Sequence, residues 1–248
     1  MRELVEHLAQ MLQEAQYAVA LTGAGVSTDS GIPDFRSPGT GLWAQYNPFE
    51  VASLEGFRSN PERFYQFWRQ RFAKLASAQP NITHRVLAEL EARGYLKCVI
   101  TQNIDDLHRR AGSTRVLEVH GNYMRGLCIG CHRTYTIQEI FEKVERHRVP
   151  LCDHCHSLLK PDVVLFGELL TPDFDQALEE IAQSDLVVVL GTSLEVYPVA
   201  GLVPQAKSLG ARLVIVNRDE TPFDSIADLV IRSELQPVMA ELRRALAL

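Results

Sequence analysis

Four cysteines come in two short pairs, Cys128-x-x-Cys131 and Cys152-x-x-Cys155, with twenty residues between the pairs. Each pair can put two thiolates on one tight knuckle. Two knuckles close a tetrahedral zinc shell with no open position, so the site reads as structural rather than catalytic. His132, His154 and His156 are spare candidate ligands, but four thiolates already suffice. A redox C-x-x-C opens a helix after a strand, and neither pair does. Cys98, the fifth cysteine, lies inside an apolar run and reads as an inert buried thiol.

Polar residues able to bind or react gather where apolar runs end. Gly23 and Gly25 follow the run Tyr17 to Leu21, as in a nucleotide-binding βα turn, where glycines let the backbone approach a pyrophosphate. A third glycine, expected at position 28 in a dehydrogenase, is replaced by Thr28. Gly31-Ile32-Pro33 ends any helix early, and Asp34-Phe35-Arg36 then presents an acid, an aromatic and a base together. Thr101-Gln102-Asn103-Ile104-Asp105 ends a second run and could reach amides and ribose hydroxyls; helix capping by Asn103 or Asp105 is the plainer alternative. His120-Gly121 ends a third, and a histidine there can serve as a base near neutral pH. Gly191-Thr192-Ser193 and Asn217 end two more, with simple turn chemistry as the alternative for both.

The elements that must position these groups alternate. Residues 2–16 carry Leu4, Leu8, Met11, Leu12 and Ala15 at helical spacing. Residues 37–62 are rich in proline, glycine and aromatics and read as a loop or short-helix region, either a structured surface loop or a lid over a cofactor. Residues 62–76 read as a helix. Strands are expected at Leu96–Thr101, Arg115–Val119, Val163–Phe166, Leu186–Leu190, Leu213–Val216 and Leu229–Ile231. Helices are expected near 84–94, 105–111, 173–183, 198–210 and 236–247. Alternation of this kind implies an α/β fold with a doubly wound, parallel, Rossmann-like sheet. Residues 122–159 interrupt it as a smaller zinc-ribbon and helical insert. The expected division is 1–36 with 84–121 and 160–248 for the nucleotide-binding domain, 37–83 for a cofactor loop and helical module, and 122–159 for the zinc module.

The 248 residues are 46% apolar and 23% charged, ordinary for a globular protein able to bury a substantial core. A net charge of −6 gives no basic footprint for nucleic acid. The first sixteen residues lack the apolar stretch of a signal peptide, and no run approaches a membrane span. A cytoplasmic protein that binds neither nucleic acid nor membrane, and works as a monomer, is the expectation.

Gly23-Ala24-Gly25 through Phe35-Arg36, Thr101 to Asp105, His120-Gly121, both cysteine pairs, Pro161 to Glu168, Gly191-Thr192-Ser193 and Asn217 occur in the order found in the sirtuins, NAD-dependent protein deacylases. The chain resembles the compact bacterial and archaeal members over nearly its whole length. The resemblance implies a protein-lysine deacetylase that consumes NAD, with one structural zinc per chain on Cys128, Cys131, Cys152 and Cys155. It implies that Gly23, Ala24, Gly25, Thr28, Phe35, Arg36, Gln102, Asn103, Ile104, Asp105, Gly191, Thr192, Ser193, Asn217 and Arg218 line the NAD site. Asp105 would hold the nicotinamide amide, Phe35 would shield the ribose, and Asn103 and His120 would be the catalytic pair. The acyl-lysine would enter beside Val164 and Phe166. Its peptide would pair as an extended strand between Gly167-Glu168 and Leu194-Glu195-Val196. The acyl oxygen would attack the ribose C1′ carbon, and His120 would then act as base on a ribose hydroxyl that attacks the acyl carbon. Nicotinamide and O-acetyl-ADP-ribose would leave.

Other readings of the same site are a desuccinylase or demalonylase, a protein mono-ADP-ribosyltransferase, a dehydrogenase and a non-catalytic NAD binder. Thr28 disfavours the dehydrogenase. Sirtuins that prefer acidic acyl groups resemble one another in a Tyr-x-x-Arg pair on the helix after the cofactor loop. Here Trp68 and Arg71 stand at those places, so the acetyl group is the expected substrate and succinyl a poor one.

Overall fold

The computed structural model describes residues 1–34 and 41–248. In chain order, α1 (Arg2–Glu14) leads into β1 (Ala18–Thr22). Short helices α2 (Pro48–Val51) and α3 (Leu54–Ser59) precede α4 (Pro61–Ser77) and α5 (Ile82–Ala92). Then come β2 (Cys98–Thr101), α6 (Leu107–Arg110) and β3 (Val116–Glu118). The insert holds β4 (Gly121–Cys128), β5 (Thr134–Thr136), α7 (Ile137–His147) and β6 (Leu159–Val163). The chain closes with α8 (Asp173–Gln183), β7 (Leu186–Leu190), α9 (Leu202–Ser208), β8 (Arg212–Asn217), β9 (Leu229–Arg232) and α10 (Leu235–Ala245). Among the described residues no helix is long and apolar enough to cross a membrane.

Six strands form one parallel sheet in the order β3-β2-β1-β7-β8-β9. This is the doubly wound order, and its connections reverse direction between β1 and β7. Strands buried on both faces read as unbroken apolar runs, and β1, β2 and β7 are buried at every position. Alternate residues face opposite layers. Ala18, Ala20, Val99, Leu186, Val188 and Val214 pack on α1, α5 and α10. Val19, Leu21, Ile100, Val187, Val189 and Ile215 pack on α8 and α9.

A smaller antiparallel sheet, β5-β4-β6, builds the insert. The strand expected at Val163–Phe166 is corrected here: it runs Leu159–Val163 and pairs with β4 rather than joining the parallel sheet. A third core joins this sheet to α3, α4 and α7 through Phe57, Phe64, Tyr65, Trp68, Phe72, Tyr123, Tyr135 and Ile140. The buried Tyr65 hydroxyl donates to the Leu159 carbonyl at 2.6 Å and pins α4 to β6. Asn60 caps α4 through the Arg63 N–H, and Pro61 supplies its first turn.

After β1 the chain makes two 3-10 turns, Ala24–Val26 and Thr28–Ser30, in place of the expected helix start. The glycines there have a packing reason as well. The Gly25 N–H donates to the Gly191 carbonyl at 2.8 Å, and that of Gly23 to the Leu190 carbonyl at 3.1 Å. A Cβ on Gly25 would lie 2.8 Å from the Gly191 Cα, and one on Gly23 2.6 Å from the Thr192 Cβ. The β1 and β7 turns touch backbone to backbone. Gly25→Ala should therefore lower unfolding free energy by roughly 1–3 kcal/mol, the usual cost of overpacking. Gly201→Ala, where a Cβ meets nothing closer than the Tyr197 ring at 3.9 Å, should shift it by less than about 0.5 kcal/mol. Urea unfolding of the two variants checks the contrast; equal midpoints would refute it.

Candidate active site

A cavity of about 710 Å³ opens beyond the carboxyl ends of β1, β2 and β7. Ligands of open α/β sheets bind there because the strands diverge at the switch point and leave a crevice. Gly23, Ala24, Gly25 and Thr28 line it from the first turn, and Gln102, Asn103, Ile104 and Asp105 from the end of β2. His120 stands beyond β3. Gly191, Thr192 and Ser193 follow β7, and Asn217 and Arg218 follow β8. Val164, Phe166, Gly167, Glu168 and Val196 line the same cavity. Phe35 and Arg36, both expected to face NAD, lie outside the described residues.

The floor is a buried polar network. The Asn103 amide donates to the Gly23 carbonyl at 3.0 Å and to the Ser27 hydroxyl at 3.1 Å. Ser27 donates to Asp105 Oδ2 at 2.6 Å, and Asp105 Oδ1 accepts the Leu107 N–H at 3.0 Å. Burial pushes the Asp105 carboxyl above its ordinary range, while the Ser27 hydroxyl and the Leu107 N–H pull it back. Asp105, the residue before the N-cap Asp106, thus satisfies the first N–H of α6 and also stands on the cavity wall. Gln102 Nε2 donates to Thr192 Oγ1 at 3.1 Å and ties the β2 end to the β7 turn.

Three participants carry no function in the sequence reading. Ser27, 1% exposed, is the hub of the network. His84 Nε2 lies 3.4 Å from Ser27 Oγ, and its Nδ1 accepts the Asn81 N–H at 3.3 Å in a capping box at the start of α5. Asn81 in turn donates to the Val26 carbonyl at 2.8 Å. The available signal was an Asn-x-x-His opening a helix with a buried face. Its partner Ser27 lies 57 residues away, beyond any local pattern. Beneath them His108 meets Thr22 Oγ1 at 3.0 Å and the His84 ring at a centroid distance of 4.9 Å.

His120 is oriented by its backbone neighbour. Its Nδ1 lies 3.0 Å from the Gln102 carbonyl oxygen, which can only accept. The Nδ1–H therefore donates, and the neutral ring carries its lone pair on Nε2. An imidazole of defined tautomer thus stands on the wall of the cavity that Asn103 also lines.

The four cysteine sulfurs lie within 4.8 Å of one another. Cys128 and Cys155 Sγ are 3.3 Å apart, and Cys131 and Cys152 Sγ 3.6 Å apart. A tetrahedral ion with bonds of about 2.3 Å needs sulfur–sulfur edges of about 3.8 Å, so the set fits one structural zinc with a small relaxation. The knuckles are twins. The N–H groups of Gly130 and Cys131 point at Cys128 Sγ, and that of His154 at Cys152 Sγ. His132 and His156 close the two turns at φ +58 each, with their N–H groups on the Cys128 and Cys152 carbonyls. They serve as turn residues outside the metal-binding set. Cys98 is fully buried, 3.5 Å from Glu180 Oε2, and burial pushes its thiol up, which keeps it inert.

The Sir2 family model matches residues 23–198. The chain is 47% identical over 234 residues to the NAD-dependent protein deacetylase of Saccharolobus solfataricus, across 94% of this chain and 93% of that protein. A solved Sir2 complex with a p53 peptide and NAD+ superposes with a TM-score of 0.90 at 42% identity, covering 96% of each chain. Another, with deacetylated p53 peptide and 3′-O-acetyl ADP ribose, reaches 0.94 at 41% identity, covering 97% of each chain.

The buried histidines make the site acid-sensitive. Burial pulls His84 down to about 2, helped by His108 and Arg85, and pulls His108 down to about 4, both from 6.5. Each folded value lies below the unfolded one, so the unfolded chain binds the extra protons. Stability is fully present above about pH 6.5 and falls as pH drops toward the folded values, by up to about 1.4 kcal/mol per pH unit for each histidine. Urea unfolding between pH 7 and 5.5 should show the decline. His108→Asn should reduce its slope by up to one proton; an unchanged slope would contradict the assignment.

Proposed function

This chain belongs to the Sir2 family and is an NAD-dependent protein deacetylase; we propose that the cavity at the β1–β7 switch point runs the reaction with His120 as general base. NAD is consumed as a co-substrate, and nicotinamide and O-acetyl-ADP-ribose are released. The observation that carries the base assignment is the Nδ1–H bond of His120 to the Gln102 carbonyl. It leaves Nε2 as the proton acceptor, with the ring's tautomer fixed by a backbone carbonyl.

In this reading, Asn103 and Asp105 line the nicotinamide side. Asn103 has both amide hydrogens committed, to Gly23 and Ser27, so its carbonyl oxygen is the atom turned to substrate chemistry. The acetyl oxygen attacks C1′ of the ribose as the bond to nicotinamide breaks. The His120 ring then takes a proton from a ribose hydroxyl, and that oxygen attacks the acyl carbon. Thr192, Ser193, Asn217 and Arg218 hold the rest of the dinucleotide from the β7 and β8 ends. The peptide lies extended between Gly167-Glu168 and Leu194-Glu195-Val196, with acyl-lysine passing Val164 and Phe166. Phe35 and Arg36 complete the cofactor side. The working units are the nucleotide-binding part (1–36, 84–121, 160–248), the cofactor loop and helical module (37–83) and the zinc module (122–159). Cysteines committed to a metal support a reducing, cytoplasmic setting and a chain that needs no disulfide.

His120→Ala should cut kcat by about 10²–10⁴-fold, the usual worth of a positioned base, while NAD still binds. Mass spectrometry of an acetyl-lysine peptide incubated with NAD, beside calorimetric NAD binding, reads both. Activity within a few-fold of wild type would sink the base assignment.

Acyl choice follows from α4. Trp68 is 6% exposed, and its ring N–H is spent on the Val51 carbonyl at 2.9 Å. Arg71 lines the cavity rather than solvent. Its guanidinium lies 3.6 Å from the Phe67 ring centroid and 4.6 Å from that of Tyr46, and Nη1 donates to the Phe67 carbonyl at 2.6 Å. A succinyl carboxylate would have to draw it off two rings and a carbonyl, and Trp68, its ring N–H already bonded to Val51, has no hydroxyl to offer beside it. A buried carboxylate with half its partners missing binds poorly. kcat/KM for an acetyl-lysine peptide should exceed that for its succinyl counterpart by at least about tenfold; equality would overturn this, and Arg71 would be the residue to change.

A further inference from the structure

One buried charge serves no step of the reaction. Lys160, on β6, has a side chain only 8% exposed. Its Nζ lies 2.7 Å from the Val163 carbonyl, 3.3 Å from the Pro161 carbonyl and 2.9 Å from Glu168 Oε2. An ammonium has three hydrogens, and three acceptors surround it. A lysine is rarely buried unless it is fully partnered, because desolvating its charge is costly.

The far partner shows what the lysine holds. The same Glu168 Oε2 accepts the Leu165 N–H at 2.8 Å, and the Glu168 N–H donates to the Leu165 carbonyl at 3.0 Å. One carboxylate oxygen thus closes the turn 165–168 and fastens it to β6. Gly167, at φ +92, supplies the left-handed residue that the turn requires. On its other side the segment is tied to the helical module. The Phe166 N–H donates to the Ala52 carbonyl at 2.9 Å, and the Leu54 N–H to the Phe166 carbonyl at 3.0 Å. With both anchors in place the segment runs along the cavity wall, where Phe166 and Gly167 are exposed.

We propose that Lys160 is a positioning residue for the acyl-peptide, holding residues 164–168 in the shape on which the substrate strand lies. The proposal rests on reading this wall as the peptide edge of a deacetylase. It also assigns Glu168 a different role from a charge offered to substrate. Its Oε2 is committed inward to Lys160 and Leu165, which fixes the backbone it presents to the peptide.

The test uses the full, zinc-loaded chain and separate titrations of an acetyl-lysine peptide and NAD. Lys160→Met should raise the peptide KM by about tenfold and leave the NAD KM within about twofold, because the lost contact shapes one substrate's edge only. Lys160→Arg, which keeps the charge and several donors, should recover most of the peptide affinity. Glu168→Gln, which keeps the volume and one accepting oxygen, should move the peptide KM in the same direction, and it carries the criterion if Lys160→Met does not fold. A peptide KM within twofold of wild type in the folded variant would overturn the proposal. So would a parallel rise of both KM values, since that is what a general structural role produces. A wild-type chain that releases no nicotinamide from NAD with the acetyl peptide present would sink the deacetylase reading instead.

Discussion

The molecule depends on two turns that have no side chains between them. Gly25 and Gly191 meet backbone to backbone, and each would drive a Cβ into the other's chain: one on Gly191 would lie 2.7 Å from the Val26 nitrogen. The contact brings the ends of β1 and β7 together where the sheet's connections reverse. From there the crevice widens toward β2 and β8, and Gln102, Asn103, Thr192 and Asn217 stand where β2, β7 and β8 end at its rim. Side chains at these two positions would push apart the elements that carry Ala24 and Thr192, and the cavity floor would lose its shape before any catalytic group was touched.

Around that contact most of the buried polar groups bond one another, while His108 Nδ1 beneath them has no hydrogen-bond partner among the described residues. Asn103, Ser27, Asp105, His84 and Asn81 satisfy one another in sequence, and His120 is held by a carbonyl. A half-satisfied network in a low-dielectric floor is costly, whereas a complete one is rigid. That rigidity is useful in a deacetylase, whose reacting groups must be aligned to within fractions of an ångström. The buried histidines are the other side of the arrangement, because their lowered pKa values make the fold lose stability as pH falls below about 6.5.

Much of this was legible in the sequence. Strands such as Leu186–Leu190, buried on both faces, leave continuous apolar runs, and α8 begins and ends as its periodicity implies. The site residues at strand ends were legible for the same topological reason. The small sheet was not. β4 alternates irregularly between buried and exposed residues and carries a bulge between Gly121 and Gly126, so no period of two survives. The placement of β6 was shifted by Val164, Leu165 and Phe166, whose apolarity serves the cavity wall and the third core rather than a ladder. The insert was expected to be part helical, and α7 supplies that helix, opened by a Thr136–Glu139 capping box. Gly23 and Gly25 line the cavity, and their tight contacts are with another turn of the chain. His84 and Lys160 could not be assigned, since each acts through a partner that only the folded chain brings near.

The third core has a consequence for how the molecule comes apart. The Phe72 ring stacks on Trp68 and Tyr123 and also meets Phe141, so helical module and zinc module share one interior that the parallel sheet does not supply. A region with its own core can open as a cooperative unit while the rest stays folded. The metal binds only the closed form of that unit, so its occupancy sets the opening free energy by mass action. In a cell short of zinc, the first casualty would be this lobe, with the sheet still intact. Proteases would then find the chain cut-ready between Pro48 and Ser77, on the side where Trp68 and Arg71 line the cavity.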